Sequence, residues 1–251
     1  MISLCIFVKI QGIMHIKNIG LILLISLLFS FCLKGQSILK SDSLALIALY
    51  ESTSGPTWRN SWDTNLPVSL WNGVIINNDR VIEISITANE LQGVLPDNLG
   101  DLSELEVLNL SSNRMYGSLP YSLFRLKKLT VLQLSGNSFS GNIPAEISNL
   151  TNLKVLSLSG NQLNGNIPPQ IGNLSNLEIL TLDNNQLFGF IPPELGNLQR
   201  IRILTASNNQ LEGTVPDSFL KLRGNLRGFS LENNLIEPSV LEKWYRIFIR
   251  P

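Results

Sequence analysis

Residues able to do chemistry are few in this sequence, and the most reactive lie at one end. Both cysteines, Cys5 and Cys32, and the single histidine, His15, fall within the first 32 residues. There Lys17 precedes a charge-free apolar run from Ile19 to Leu33, shorter than the roughly twenty residues that a membrane-spanning helix requires. The pattern predicts a signal peptide over residues 1–36. Met14 is an alternative start, because Met14, His15, Ile16 and Lys17 would supply a short basic segment before the apolar run. Lipidation at Cys32 is the rival reading, although Phe31 stands where a small residue is expected. Once residues 1–36 are removed, cysteine nucleophiles, histidine-assisted serine chemistry, disulfides and Cys/His zinc sites have no residues to work with. No cofactor and no transmembrane span are expected in the mature chain, and any catalysis would rest on carboxylates.

Those carboxylates can only be judged through the elements that carry them, and a repeat defines these elements. Asparagines recur every 24 residues at Asn89, Asn113, Asn137, Asn161, Asn185 and Asn209, each followed four residues later by glycine, from Gly93 to Gly213. Prolines from Pro96 to Pro216 keep the same step. One full copy contains Leu153, Leu156, Leu158, Asn161, Leu163, Gly165, Ile167, Pro168, Ile171 and Leu174. A seventh copy holds Leu226, Phe229, Leu231, Asn234 and Ile236; it is offset by one extra residue near Gly224 and carries Pro238 where glycine would stand.

Period-two alternation in each copy predicts a short strand, with Leu156 and Leu158 in the core and Ser157 and Ser159 facing water. One turn alone buries too little to fold, whereas stacked turns bury leucines worth roughly 1.5–3 kcal/mol each. The asparagines Asn89, Asn113, Asn137, Asn161, Asn185, Asn209 and Asn234 are expected to form a ladder, each amide satisfying backbone groups of its own and the adjacent turn. Glycine permits positive φ, and proline fixes φ on the outer side.

This pattern resembles the leucine-rich repeat, in its plant-type 24-residue subclass. The resemblance implies an α/β repeat solenoid, a right-handed superhelix with a parallel β-sheet on its concave face, built from about seven repeats over residues 81–238. Residues 37–80 read as an N-terminal helical and Trp-rich cap. Asp42 or Ser43 could cap a helix carrying Leu44, Ile47 and Ala48, followed by Gly55, Pro56, Trp58, Trp62 and Trp71. It resembles the plant cap in Ala48, Leu49, Tyr50 and in Trp71, Asn72, Gly73, Val74, but lacks the cysteine pair usual there. That departure points to the disulfide-free versions of bacterial and algal surface proteins. Residues 239–251 read as a C-terminal capping helix, with Ser239 and Glu242 as a capping box and Leu241, Trp244, Tyr245 and Phe248 on one face.

The resemblance also implies that partners engage the concave sheet. Its water-facing positions form two columns. Ser85, Asn109, Gln133, Ser157, Thr181, Thr205 and Ser230 make the first; Thr87, Ser111, Ser135, Ser159, Asp183, Ser207 and Glu232 make the second. Glu83, Asn109, Gln133, Ser157, Thr181, Asp183, Thr205 and Glu232 are the candidate ligand-binding residues, against the plainer reading that all are solubility choices on a β surface. Glu83, Asp183 and Glu232 are the acids of this face, and Asp183 and Glu232 should lie roughly 10 Å apart across two strand steps. That spacing could suit an inverting glycosidase. No sugar platform accompanies it, so an enzyme is not expected. The tryptophans read as core caps rather than a ligand shelf. Sequons at Asn109, Asn149 and Asn173 arise largely from the repeated turn.

The chain has 251 residues, 44% of them hydrophobic, which suffices for one substantial core. Lys plus Arg and Asp plus Glu balance at 19 each, so no net field attracts nucleic acid or an acidic membrane. The expectation is a secreted or cell-surface binding module for an extracellular protein, peptide or polysaccharide. Alternatives are an ice- or water-ordering protein and an inhibitor of a secreted polysaccharide-degrading enzyme.

Overall fold

The computed structural model describes residues 38–248. The expected leader over residues 1–36, with Cys5, His15 and Cys32, lies outside them.

Alternating burial builds the strands. In chain order these are β1 (Val74–Asn77), β2 (Arg80–Ser85), β3 (Val107–Asn109), β4 (Tyr116–Gly117), β5 (Val131–Gln133), β6 (Ser138–Asn142) and β7 (Val155–Ser157). They continue as β8 (Gln162–Gly165), β9 (Ile179–Thr181), β10 (Gln186–Phe190), β11 (Ile203–Thr205), β12 (Gln210–Glu212) and β13 (Gly228–Ser230). The main sheet has eight strands in the order β1-β2-β3-β5-β7-β9-β11-β13. From β2 onward every pair is parallel and in register, because the 24-residue period places equivalent residues side by side. The β1–β2 pair is antiparallel, an exception the repeat pattern does not show because β1 precedes the first repeat.

Each turn then crosses to the other side of the core. A second, five-stranded parallel sheet, ordered β12-β10-β8-β6-β4, forms around the asparagine-to-glycine segment of each repeat. The repeat pattern predicts the concave sheet alone; two-residue pairings such as Tyr116 and Gly117 with Ser138 and Phe139 leave little period-two signal. In all six copies the repeat proline stands immediately before a 3-10 turn, as Pro168 does before Pro169–Asn173. Its ring holds φ at −68°, and Ile171 of that turn seals the core from outside. Gly165, at φ +78°, carries the chain round the corner, where a Cβ would come within 3.2 Å of the Asn142 Cβ.

The asparagines join the turns. Asn161 Nδ2 donates to the Leu158 carbonyl of its own turn at 3.0 Å and to the Leu134 carbonyl of the preceding turn at 3.1 Å. Its Oδ1 accepts the Phe139 amide at 3.0 Å. Asn113, Asn137, Asn185, Asn209 and Asn234 repeat the arrangement. Asn89 differs, because no earlier repeat exists. Its Oδ1 accepts the Asn60 amide at 2.6 Å, so the same residue type ties the first turn to the N-terminal segment.

Two helices flank the stack. Helix α1 (Lys40–Ser52) is preceded by Leu39, so neither Asp42 nor Ser43 caps it. Asp42 is instead fully buried and accepts hydrogen bonds from Arg80 Nε at 3.0 Å and the Val81 amide at 2.9 Å, tethering α1 to β2. That hydrogen bond is the main cause holding the Arg80 guanidinium above its ordinary value. Helix α2 (Pro238–Phe248) begins one residue before Ser239, with Pro238 in the first helical position, where a missing N–H costs nothing. Leu241 and Trp244 are buried, and Tyr245 Oη accepts the Leu231 amide at 3.1 Å.

Candidate functional site

The outward face of the eight-stranded sheet carries the expected columns in strict register. Ser85 pairs with Asn109, then Gln133, Ser157, Thr181, Thr205 and Ser230 follow one strand at a time. All seven are half-buried, as small polar side chains on a stacked sheet must be. Hydroxyls of this column bond to one another and to those of the second column. Ser157 Oγ lies 2.7 Å from Ser135 Oγ and 2.8 Å from Thr181 Oγ1, and Ser207 Oγ lies 2.6 Å from Ser230 Oγ.

Asp183 is the centre of this network. Its carboxylate accepts the Ser207 amide at 2.8 Å and hydrogen bonds from the hydroxyls of Ser159 and Thr205. Such a carboxylate is held by the protein's own donors. Glu232, on the flank of the last strand, is exposed and its side chain makes no hydrogen bond or ion pair among the described residues. Asp183 and Glu232 therefore stand two strands apart but in different environments, one fixed and one free. Glu83 is separated from both. It sits in β2, in register with Val107 rather than with the second column.

That register exposes a column missing from the sequence reading. Val107, Val131, Val155, Ile179 and Ile203 align across β3, β5, β7, β9 and β11, half-buried on the same face as the hydroxyls. The signal was present, since a β-branched residue recurs there every 24 residues, but the position falls between the leucines and reads as variable. β-branched residues pack well on a pleated surface, and here they form an apolar stripe beside a polar one. At the head of each strand the next column is charged, with Glu106, Lys154, Glu178, Arg202 and Arg227 joined by backbone hydrogen bonds through Thr130.

The tryptophans lie elsewhere. Trp58, Trp62 and Trp71 are 4–5% exposed. Trp62 packs edge-on to Trp58 at 4.9 Å and stacks on Trp71 at 4.7 Å. Their indole N–H groups donate to backbone carbonyls of Thr53, Asn72, Asp63 and Leu66. They close the core and offer no shelf. Asn149 and Asn173 end 3-10 turns and are exposed, whereas Asn109 lies in β3 with Oδ1 accepting the Ser111 amide. Among the described residues no three His, Cys, Asp or Glu gather as metal ligands, and no helix is long and apolar enough to cross a membrane.

A stack of 24-residue turns, each a short strand and a 3-10 turn joined by an asparagine ladder, defines a leucine-rich-repeat solenoid with its main sheet on the concave side. The family described as "Leucine-rich repeat region" matches residues 80–245, and the chain belongs to it. A probable leucine-rich repeat receptor-like protein kinase of Arabidopsis thaliana is 42% identical over 72 residues, which are 28% of this chain and 7% of the kinase. The chain thus spans a small part of that relative. Among solved structures, a plant ice-binding protein superposes with TM-score 0.73 at 32% identity, over 82% of this chain and 67% of that one. PEPR1 with AtPEP1 gives TM-score 0.72 at 30% identity, over 81% of this chain and 30% of that one. The plant peptide hormone receptor RGFR1 in complex with RGF2 gives 0.54 at 32%, over 68% and 35%.

Proposed function

We propose that this chain is a non-catalytic extracellular binding module that seats an extended peptide, or an exposed segment of a protein, across the strands of its concave sheet. The observation that carries this is the apolar stripe from Val107 to Ile203, flanked by hydroxyl columns. Four strand steps of about 4.8 Å make a track of roughly 19 Å, the length of about six extended residues. The stripe gives a ligand's side chains an apolar floor. Asn109, Gln133, Ser157, Thr181 and Thr205 supply donors and acceptors beside it, with Glu83 and Glu232 at the two ends. Asp183 serves by fixing this surface rather than by reacting. The similarity to a plant peptide hormone receptor solved in complex with RGF2 supports the reading. The apolar presequence supports secretion.

The test is capture from extracellular proteins and peptides by the purified protein and by a Ser157→Arg/Thr181→Arg variant. Loss of the captured ligand in a variant of unchanged circular dichroism is expected. Equal capture by both proteins overturns the assignment to this face.

The similarity to a plant ice-binding protein favours a second reading, in which regularly spaced hydroxyls order water. Here the hydroxyls bond to one another, which leaves fewer free for ice. Thermal hysteresis in the purified protein would favour this reading; its absence removes it.

A further inference from the structure

The last three copies of the repeat line a pocket of about 540 Å³ at the heads of β9, β11 and β13, outside the concave track. Its charge is one-sided. Arg200, Arg202 and Arg227 line it with a single acid, Glu178. Glu178 lies 3.7 Å from Arg202, while Arg200 and Arg227 form no ion pair among the described residues. In a chain whose charges balance, three cations against one anion leave a local excess of two positive charges.

The sequence makes the pocket through the one irregularity of its repeat. The 3-10 turn Asp217–Leu222 is one residue longer than its counterparts, and Gly224 follows it. Gly224 has no neighbouring atom within 4 Å of where a Cβ would stand, so the additional residue loops outward and leaves space beneath it.

Two amides complete the lining. Asn225 Nδ2 donates to the Gln199 carbonyl at 2.7 Å, and Gln199 Nε2 donates to the Gly196 carbonyl at 3.2 Å. Each amide nitrogen thus uses one of its two N–H donors within the protein, and the side-chain oxygens accept no hydrogen bond among the described residues. The pocket therefore offers guanidinium forks for an anion and amide oxygens for hydroxyl donors, with no apolar side chain in its lining. A peptide carboxylate would meet the arginines, but the lining gives its side chains no apolar anchor. A sugar ring bearing an anionic group satisfies both sets.

We infer that this pocket is a second binding site, independent of the concave track, for an anionic polysaccharide carrying carboxylate or sulfate on hydroxylated rings. The experiment titrates the purified protein with galacturonate hexamers, sulfated dextran, neutral dextran and poly-glutamate, using calorimetry. Binding of an anionic glycan, with neutral dextran and poly-glutamate much weaker, is expected; which glycan binds distinguishes carboxylate from sulfate. Arg200→Ser/Arg227→Ser, both exposed positions, should bind at least about tenfold more weakly with an unchanged melting temperature. A charge-matched control on a distant turn, Arg125→Ser/Lys127→Ser, and the concave variant Ser157→Arg/Thr181→Arg should bind as the parent does. No binding of either anionic glycan overturns the inference. So does equal binding of poly-glutamate, an unaffected Arg200→Ser/Arg227→Ser variant, or an equal loss in the charge-matched control.

Discussion

The carboxylate of Asp183 accepts a hydrogen bond from the backbone amide of Ser207, one repeat further along, at 2.8 Å. Together with the hydroxyls of Ser159 and Thr205, this makes Asp183 a brace between neighbouring turns on the face proposed to bind ligand. Asp183→Ala is expected to lower stability by about 2 kcal/mol, since it leaves a half-buried amide and two hydroxyls without their acceptor. Glu232→Ala, at an exposed position without such bonds, should stay within about 0.5 kcal/mol of the parent. Urea unfolding of the two variants checks this, and equal stabilities would remove the brace.

The asparagine ladder gives a second expectation. Asn161 is 8% exposed and satisfies two carbonyls and one amide across adjacent turns. Asn161→Ala should cost roughly 3 kcal/mol, because the buried Phe139 amide loses its side-chain acceptor while the Leu134 and Leu158 carbonyls each lose one of two asparagine donors. Denaturant titration gives the value; a cost below about 1 kcal/mol would mean that water replaces the amide readily.

A third concerns the residue just before each of the seven ladder asparagines, which adopts positive φ in every case. Glycine or asparagine fills this position as Gly136, Gly160, Asn184, Asn208 and Asn233. Ala88 and Ser112 occupy it at φ 50° and 58°, where a Cβ is strained. Ala88→Gly and Ser112→Gly are each expected to stabilise by about 1 kcal/mol, a rise of roughly 2–4 °C in melting temperature. A fall in melting temperature in both would contradict this.

The N-terminal cap rests on a buried ion pair. Removing Asp42 leaves Arg80 without its bidentate partner and the Val81 amide without an acceptor. Asp42→Ala should cost about 3 kcal/mol or more. The Arg80 shift is upward, so its stabilising contribution is fully present below the ordinary arginine range and is lost only as pH rises through the raised folded value. The cost should therefore be the same at neutral and mildly alkaline pH. Unfolding measured at both conditions checks it.

The 24-residue spacing of Asn161, Gly165 and Pro168 was enough to read the solenoid, because in-register stacking forces identical residues into identical roles. The hydroxyl columns were legible for the same reason. The Val107-to-Ile203 stripe was not, since a partly exposed β-branched residue looks the same in sequence as a variable core position. Asp42, placed before an apolar run, carries the local signal of a helix cap. Its partner Arg80 is 38 residues away, a pairing that no local pattern contains. The pocket beneath Gly224 left only a one-residue offset in the repeat, and the space that this opens depends on how the next turn stacks.

Recognition through the concave sheet is tested most directly by placing a photo-crosslinking residue at Val155, within the apolar stripe, or at Asn173, on the exposed 3-10 turn of the same repeat, and exposing both proteins to extracellular extract. Adducts formed from Val155 and absent from Asn173 are the expected result. Adducts from Asn173 with none from Val155 would contradict the account.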